Sequence, residues 1–204
     1  MAVVITLTGA SQCGKSTIVD LFNQCENKNF VPYLIPKYVT RELRDTDGDD
    51  VIGGGIPKTC DLVWELYGQR YGIHFDTIYE TLSQGKCPII IVNDIRIIQD
   101  LKTALGSQVV SIFMYRKKPE LQSFINEEKR RFSKQLSPEV LEQINKTATT
   151  RYNKALTIYR IYIENLPLFD NVILNTGTIE QSKRQVQSIV SSIAVSNKYL
   201  EGEE

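Results

Sequence analysis

Gly9-Ala10-Ser11-Gln12-Cys13-Gly14-Lys15-Ser16, near the amino end, is an unbroken Gly-x-x-x-x-Gly-Lys-Ser. Each residue type suits the binding of a chain of phosphates. Gly9 and Gly14 let the backbone curl until successive N–H groups face one concavity, a nest for phosphate oxygens. Lys15 adds a mobile positive charge that reaches the outermost phosphates. Ser16 offers a hydroxyl to Mg²⁺, which takes oxygen ligands and keeps several waters. The plain alternative is a glycine-rich turn with a surface lysine. A strand before the motif and a helix after it separate the two readings.

Both are present. Val3, Val4, Ile5 and Leu7 form an apolar run long enough for a buried parallel strand. Thr17-Ile18-Val19-Asp20-Leu21-Phe22 reads as the first turns of a helix whose positive end points at the loop. Gly9 to Thr17 is therefore the predicted binding stretch for a nucleoside triphosphate, with Lys15 as a catalytic charge and Ser16 as a metal ligand.

The 204 residues suffice for one domain that buries a sheet between helices. Lys plus Arg and Asp plus Glu both number 24, so the formal net charge is zero. That argues against nucleic acid or an anionic membrane as the main partner. No apolar run approaches a membrane span. The amino-terminal segment reads as a strand, not a leader. Cys13, Cys25, Cys60 and Cys87 lack metal-ligand spacing and read as reduced thiols of a cytoplasmic protein. Nothing in the pattern specifies an oligomeric state.

The first helix is predicted over about Lys15 to Cys25, with a turn at Asn27-Lys28-Asn29 and an extended segment from Phe30 to Ile35. Residues 37–55, with their acidic stretch and Gly53-Gly54-Gly55, read as a loop-rich insertion outside the core. Phe75, Ile78 and Leu82 have helical spacing that Gly85 ends. Pro88 to Val92 is a strongly apolar strand closing on Asn93-Asp94-Ile95-Arg96, at the carboxyl end where open α/β sheets hold ligands. Ile97 to Leu105 is helical, and Val109 to Met114 is a further strand. A long helical stretch follows Pro119. Ser137-Pro138-Glu139 opens another, Ser as N-cap and Pro in the first turn. Asp170 to Asn175 is a short strand, and Ile179, Val186, Ile189, Val190 and Ile193 mark the closing helix. Alternating strands and helices give an α/β fold, a parallel sheet with right-handed crossovers and helices on both faces.

In this order the motifs make the chain resemble the guanylate kinase family of P-loop nucleoside monophosphate kinases. Val39-Thr40-Arg41-Glu42-Leu43-Arg44 is similar to the family's Thr-Thr-Arg-x-Pro-Arg segment. Arg70-Tyr71-Gly72 matches its Tyr-Tyr-Gly, and Gly85-Lys86 to Asn93-Asp94 its Gly-Lys … Asp-Ile-Asp strand. The resemblance implies a P-loop NTPase fold with a core of residues 1–36, 73–120 and 166–198. An acceptor-binding insertion would span 37–72, and a helical lid 121–165. It implies transfer of phosphate from ATP, with Mg²⁺, to a phosphorylated acceptor, GMP by default. Arg41, Arg44 and Tyr71 would then hold the acceptor's phosphate, and Asp94 would sit near Mg²⁺ or the acceptor. Arg130 or Arg131, with Arg151 or Lys146, would belong to the lid; Arg131 and Arg151 are the predicted catalytic pair.

The base-reading positions depart from the family: Lys37 stands where it has Ser, and Val51-Ile52 where it has Tyr. The acidic candidates there are Asp47, Asp49 and Asp50. A second resemblance, to bacterial ribose bisphosphokinases, rests on Asn93 to Arg96 and on Trp64 to Gly72, and implies a sugar phosphate as acceptor. Other readings are a non-catalytic guanylate-kinase-like binding module, in which the loop lysine is typically lost, and an ATPase or switch indifferent to acceptors.

Overall fold

In the computed structural model β1 (Val4–Thr8) is buried along its whole length, because a strand lies on each side of it and helices cover both faces. The structure describes residues 2–43, 48, 50–66, 68–116, 120–131 and 137–201, side chains at 131 and 196–201 excepted. After β1 come α1 (Lys15–Asn23), β2 (Pro32–Leu34), β3 (Lys37–Val39), β4 (Val51–Ile52), β5 (Leu62–Leu66) and β6 (Gln69–Ile73). Then follow α2 (Phe75–Ser83), β7 (Cys87–Ile91), α3 (Ile95–Leu105), β8 (Val109–Tyr115), α4 (Leu121–Arg131), α5 (Pro138–Glu164), β9 (Asn171–Leu174) and α6 (Ile179–Glu201).

The main sheet has the order β2-β7-β1-β8-β9, every neighbouring pair parallel. Side chains alternate between its faces. Ile5 and Leu7 pack with Ile18, Phe22, Val186 and Val190 of α1 and α6. On the other face Val4 packs with Ile78, Ile98, Leu101 and Tyr162 of α2, α3 and α5. All the carboxyl ends lie along one edge. The central strand there delivers the glycine loop, β7 delivers Asn93 and Asp94, β8 delivers Arg116, and β9 delivers Asn175.

A second sheet, β4-β3-β6-β5, stands beyond this edge. It adds two short strands to the loop-rich insertion expected over 37–55. β3 and β4 pair in parallel, and Val39 is fully buried. Three- and two-residue strands are too short to show alternation, so no period marked them. β5 and β6 form a hairpin in the register Leu62↔Ile73, Trp64↔Tyr71, and the two rings stack at 5.6 Å.

Ser137 caps α5 by accepting from the Val140 amide at 3.4 Å, with Pro138 in the first turn. α4 lies against α5, where Phe124, Ala148 and Ala155 form a small buried cluster apart from the sheet's two layers. The first helix stops at Asn23, short of the predicted Cys25, with Gln24 as its cap. Among the described residues no helix is long and apolar enough to cross a membrane.

Candidate functional site

The loop between β1 and α1 depends on its glycines. Gly14 has φ 90°, a left-handed conformation, and a Cβ there would meet Asn175 Nδ2 at 2.5 Å. A Cβ on Gly9 would meet Cys13 Sγ at 2.5 Å and the Met114 backbone oxygen at 3.0 Å. Gln12 also has positive φ, 67°. Asn175 Nδ2 donates to the Cys13 carbonyl at 2.8 Å. Lys15 Nζ donates back to the Gly9 and Ala10 carbonyls at 2.8 and 2.9 Å, and the buried Cys13 Sγ is 3.7 Å from it. Lys15 thus lies over its own loop.

Two spaces open on either side of this loop. The first, of 570 Å³, is walled by Ala10 to Cys13, Met114, Arg116, Tyr159 and the α4 residues Ser123, Asn126, Glu127 and Arg130. Arg116 donates to the Gln12 carbonyl, and Gln12 Nε2 to Glu127. Arg151 of α5 crosses to the same place. It pairs with Glu128, lies 3.5 Å from Glu127, and reaches Ser11 Oγ at 3.4 Å. Its guanidinium sits 5.8 Å from the centre of the Phe124 ring. Burial first, and the Tyr115 hydroxyl second, push the Tyr159 phenol well above the usual tyrosine range, so it remains a neutral donor.

The second space, of 260 Å³, brings together Lys15, Ser16, Lys37, Arg41, Asp50, Trp64, Tyr71 and Asn93. It joins the loop to the small sheet. Lys37 Nζ pairs with Asp50 at 2.8 Å, and Arg41 donates to the Glu42 carbonyl at 2.8 Å.

Lys15, Ser16, Arg41 and Tyr71 therefore share one cavity, and Ala10, Ser11, Gln12 and Cys13 wall the other. Thr17 lies exposed in the first turn of α1. Asp94 joins neither cavity. Its side chain caps α3, accepting from the Arg96 amide at 2.9 Å, and pairs with the Arg96 guanidinium at 2.7 Å. Burial pushes this carboxyl up, but the bonds from Arg96 outweigh it and hold the group below the usual carboxylate range. Arg44, Asp47 and Asp49 lie outside the described residues. So does the side chain of Arg131, whose backbone ends α4. Lys146 lies in α5.

Arg116 and Asn175 are the residues sequence reasoning missed. Each directly follows an apolar strand, the position already singled out at Asn93, and that signal finds them. Tyr159, hidden in the apolar period of α5, gave none.

Mg²⁺ takes hard oxygen donors. Ser16 and Asp50 line the smaller cavity, and their hydroxyl and carboxylate oxygens fit that requirement. Two such protein donors suit an ion whose remaining ligands are phosphates and water.

No protein-family model matches this chain, and no curated protein matches it. Among solved structures it is similar to the guanylate kinase from Anaplasma phagocytophilum, at 18% sequence identity and a TM-score of 0.60, over 94% of this chain and 85% of that one. It is also similar to the dephospho-CoA kinase from Campylobacter jejuni, at 14% identity and a TM-score of 0.40, over 93% and 96% of the two chains. With its glycine loop at the carboxyl end of the central strand of a parallel, helix-flanked sheet, the chain has the P-loop fold of that guanylate kinase.

Proposed function

We propose that this chain transfers the γ-phosphoryl group of ATP to a small molecule that already carries a phosphate, with GMP as the first candidate acceptor. The observation that carries the reading is that one loop serves two cavities. Ala10 to Cys13 face the larger, while Lys15 and Ser16 open into the smaller beside Arg41 and Tyr71. A donor held on the loop would present its terminal phosphate to an acceptor held by Arg41.

An oxygen of the acceptor's phosphate attacks the γ-phosphorus, the bond to the β,γ-bridging oxygen breaks, and ADP leaves. The attacking oxygen is already ionised, so no general base is required. The protein's tasks are alignment, charge neutralisation and exclusion of water. Lys15 swings from its loop carbonyls to the transferring phosphate. Arg41, with Arg44 and Tyr71, holds the acceptor's phosphate. Arg151 and Arg131 supply charge from the lid, and Arg116 and Arg130 line the same donor space. Mg²⁺, when bound at Ser16, neutralises charge on the donor's phosphates.

A second reading, a sugar-phosphate kinase, is favoured by one contact. Lys37 stands where the guanylate kinases have a guanine-contacting Ser, and it is paired with Asp50. The test offers ATP and Mg²⁺ with GMP, AMP or ribose 1,5-bisphosphate. Formation of ADP that requires one of these acceptors, and is lost in Lys15→Ala, supports the reading. ATP hydrolysis that ignores every acceptor overturns it.

A further inference from the structure

We infer that the acceptor carries, beyond its phosphate, an apolar alkyl or aryl segment that lies in a groove between β5, the β7–α3 turn and α5. The inference rests on reading the Lys15–Arg41 cavity as the acceptor-phosphate site. The groove has a volume of 680 Å³, more than twice the 260 Å³ of that cavity. Leu66 and Asn93 line both, so the two spaces share a wall.

The groove's chemistry differs from that of the phosphate cavity. Its apolar surface comes from Leu66, Ile95, Ile158 and Ile161, with charged Glu65, Arg96 and Lys154 on exposed positions around it. Ile161 is 41% exposed, although the next residue of its helix, Tyr162, is buried in the core. A compact sugar phosphate has nothing to place against this surface. An alkyl chain or aromatic ring does, and gains by leaving water.

The shared wall carries a second signal. The Asn93 backbone oxygen accepts from the Tyr162 hydroxyl at 2.8 Å, but its side-chain Oδ1 is buried with no hydrogen-bond partner. A buried amide oxygen without a donor is costly. Asn93 lines both spaces, so a ligand running from one into the other passes this side chain, and a turn of the amide would bring its Oδ1 to the ligand. The structure therefore favours an acceptor with an N–H or O–H between its phosphate and its apolar segment.

The experiment titrates methyl, butyl, hexyl and octyl monophosphate into the full chain with Mg²⁺ and a non-hydrolysable ATP analogue. Methyl phosphate, too short to leave the phosphate cavity, is the internal reference. Affinity is expected to rise about three- to four-fold per methylene once the chain clears Leu66. Thr157→Trp, at an exposed groove position, is expected to flatten that rise; Ile161→Ser, a milder change, reduces it. Arg41→Ala weakens every member by a similar factor and keeps the slope. A flat series, with methyl phosphate still bound and still sensitive to Arg41→Ala, overturns the groove and leaves the phosphate site standing. A slope that survives Thr157→Trp, or long chains indifferent to Arg41→Ala, overturns it too, because the apolar contact then lies elsewhere. If methyl phosphate fails to bind, the phosphate-site reading falls and the inference with it.

Discussion

Asn175 Nδ2 donates to the Cys13 carbonyl at 2.8 Å, so the end of the last strand is tied to the glycine loop before the first helix. The same nitrogen occupies the space a side chain on Gly14 would need, at 2.5 Å. Asn175→Ala is expected to cost about 1 kcal/mol of stability and to raise the KM for ATP several-fold, because one bond is lost and the loop loosens. Gly14→Ala costs at least as much, since its φ of 90° adds roughly 1–2 kcal/mol of strain to the clash. Combined, the two are less than additive, because removing the amide relieves the clash but not the strain. Thermal melts and ATP titrations of the three variants check this, and strict additivity would refute the shared origin.

Lys15 bonds only weakly to the fold's stability, because its partners are carbonyls of its own loop. Lys15→Ala is expected to lower turnover at least about a hundredfold, while the melting free energy changes by under about 1 kcal/mol. A variant that keeps its turnover removes Lys15 from the chemistry.

The part of the site that lies in one run of sequence was legible from the residues. Glycines, lysine and serine at fixed spacing after a strand define the loop, and the structure folds it in that context. What the sequence hid was assembled from a distance. Arg151 reaches Ser11 across 140 positions, and Asn175 reaches Cys13 across 162. Glu127 stands at i,i+3 from Arg130 on its own helix, yet both it and Glu128 meet Arg151 of α5. At Asp94 one sequence signal has two physical causes. A polar residue after a buried strand is equally placed to meet a ligand or to cap the next helix, and here the capping geometry is satisfied.

Arg41 is expected to separate the two pockets kinetically. It lines the smaller cavity with Tyr71 and is absent from the wall of the larger. Arg41→Ala should raise the KM for the acceptor tenfold or more, as an order of magnitude for a lost charge-assisted contact, and leave the KM for ATP within about twofold. Equal rises in both would merge the two sites into one.

Asp170 gives the fold a pH dependence. Its carboxylate accepts from the Ser111 amide at 2.7 Å and the Ser111 hydroxyl at 2.8 Å, and Lys102 lies 3.0 Å away. Burial raises its pKa, but these bonds outweigh burial and hold it below the usual carboxylate range. A depressed folded-state pKa means stability that is present above the unfolded value, near 4, and lost as pH falls through the folded one. Asp170→Asn should therefore cost about 1 kcal/mol near pH 7, a figure reduced for the half-exposed side chain. The difference from wild type should shrink as pH falls below about 4. Denaturant melts across that range measure it, and a gap that persists undiminished at low pH would show that the carboxylate's charge is not its source.

Arg151 has two duties that a double variant can part. It holds Glu128, which is only 5% exposed, and it reaches the loop through Ser11. Taking the guanidinium from a buried carboxylate costs several kcal/mol in well-buried pairs, and about 2–3 here, because Arg151 is itself partly exposed. Adding Glu128→Gln to Arg151→Met removes the buried charge as well, and should recover most of the lost stability. If Arg151 neutralises the transferring phosphate, turnover stays depressed by about a hundredfold in both forms, because no neutral residue replaces that charge. If turnover returns along with the melting point, Arg151 only props the two helices together, and the charge that acts on the phosphate must come from another lid residue such as Arg130.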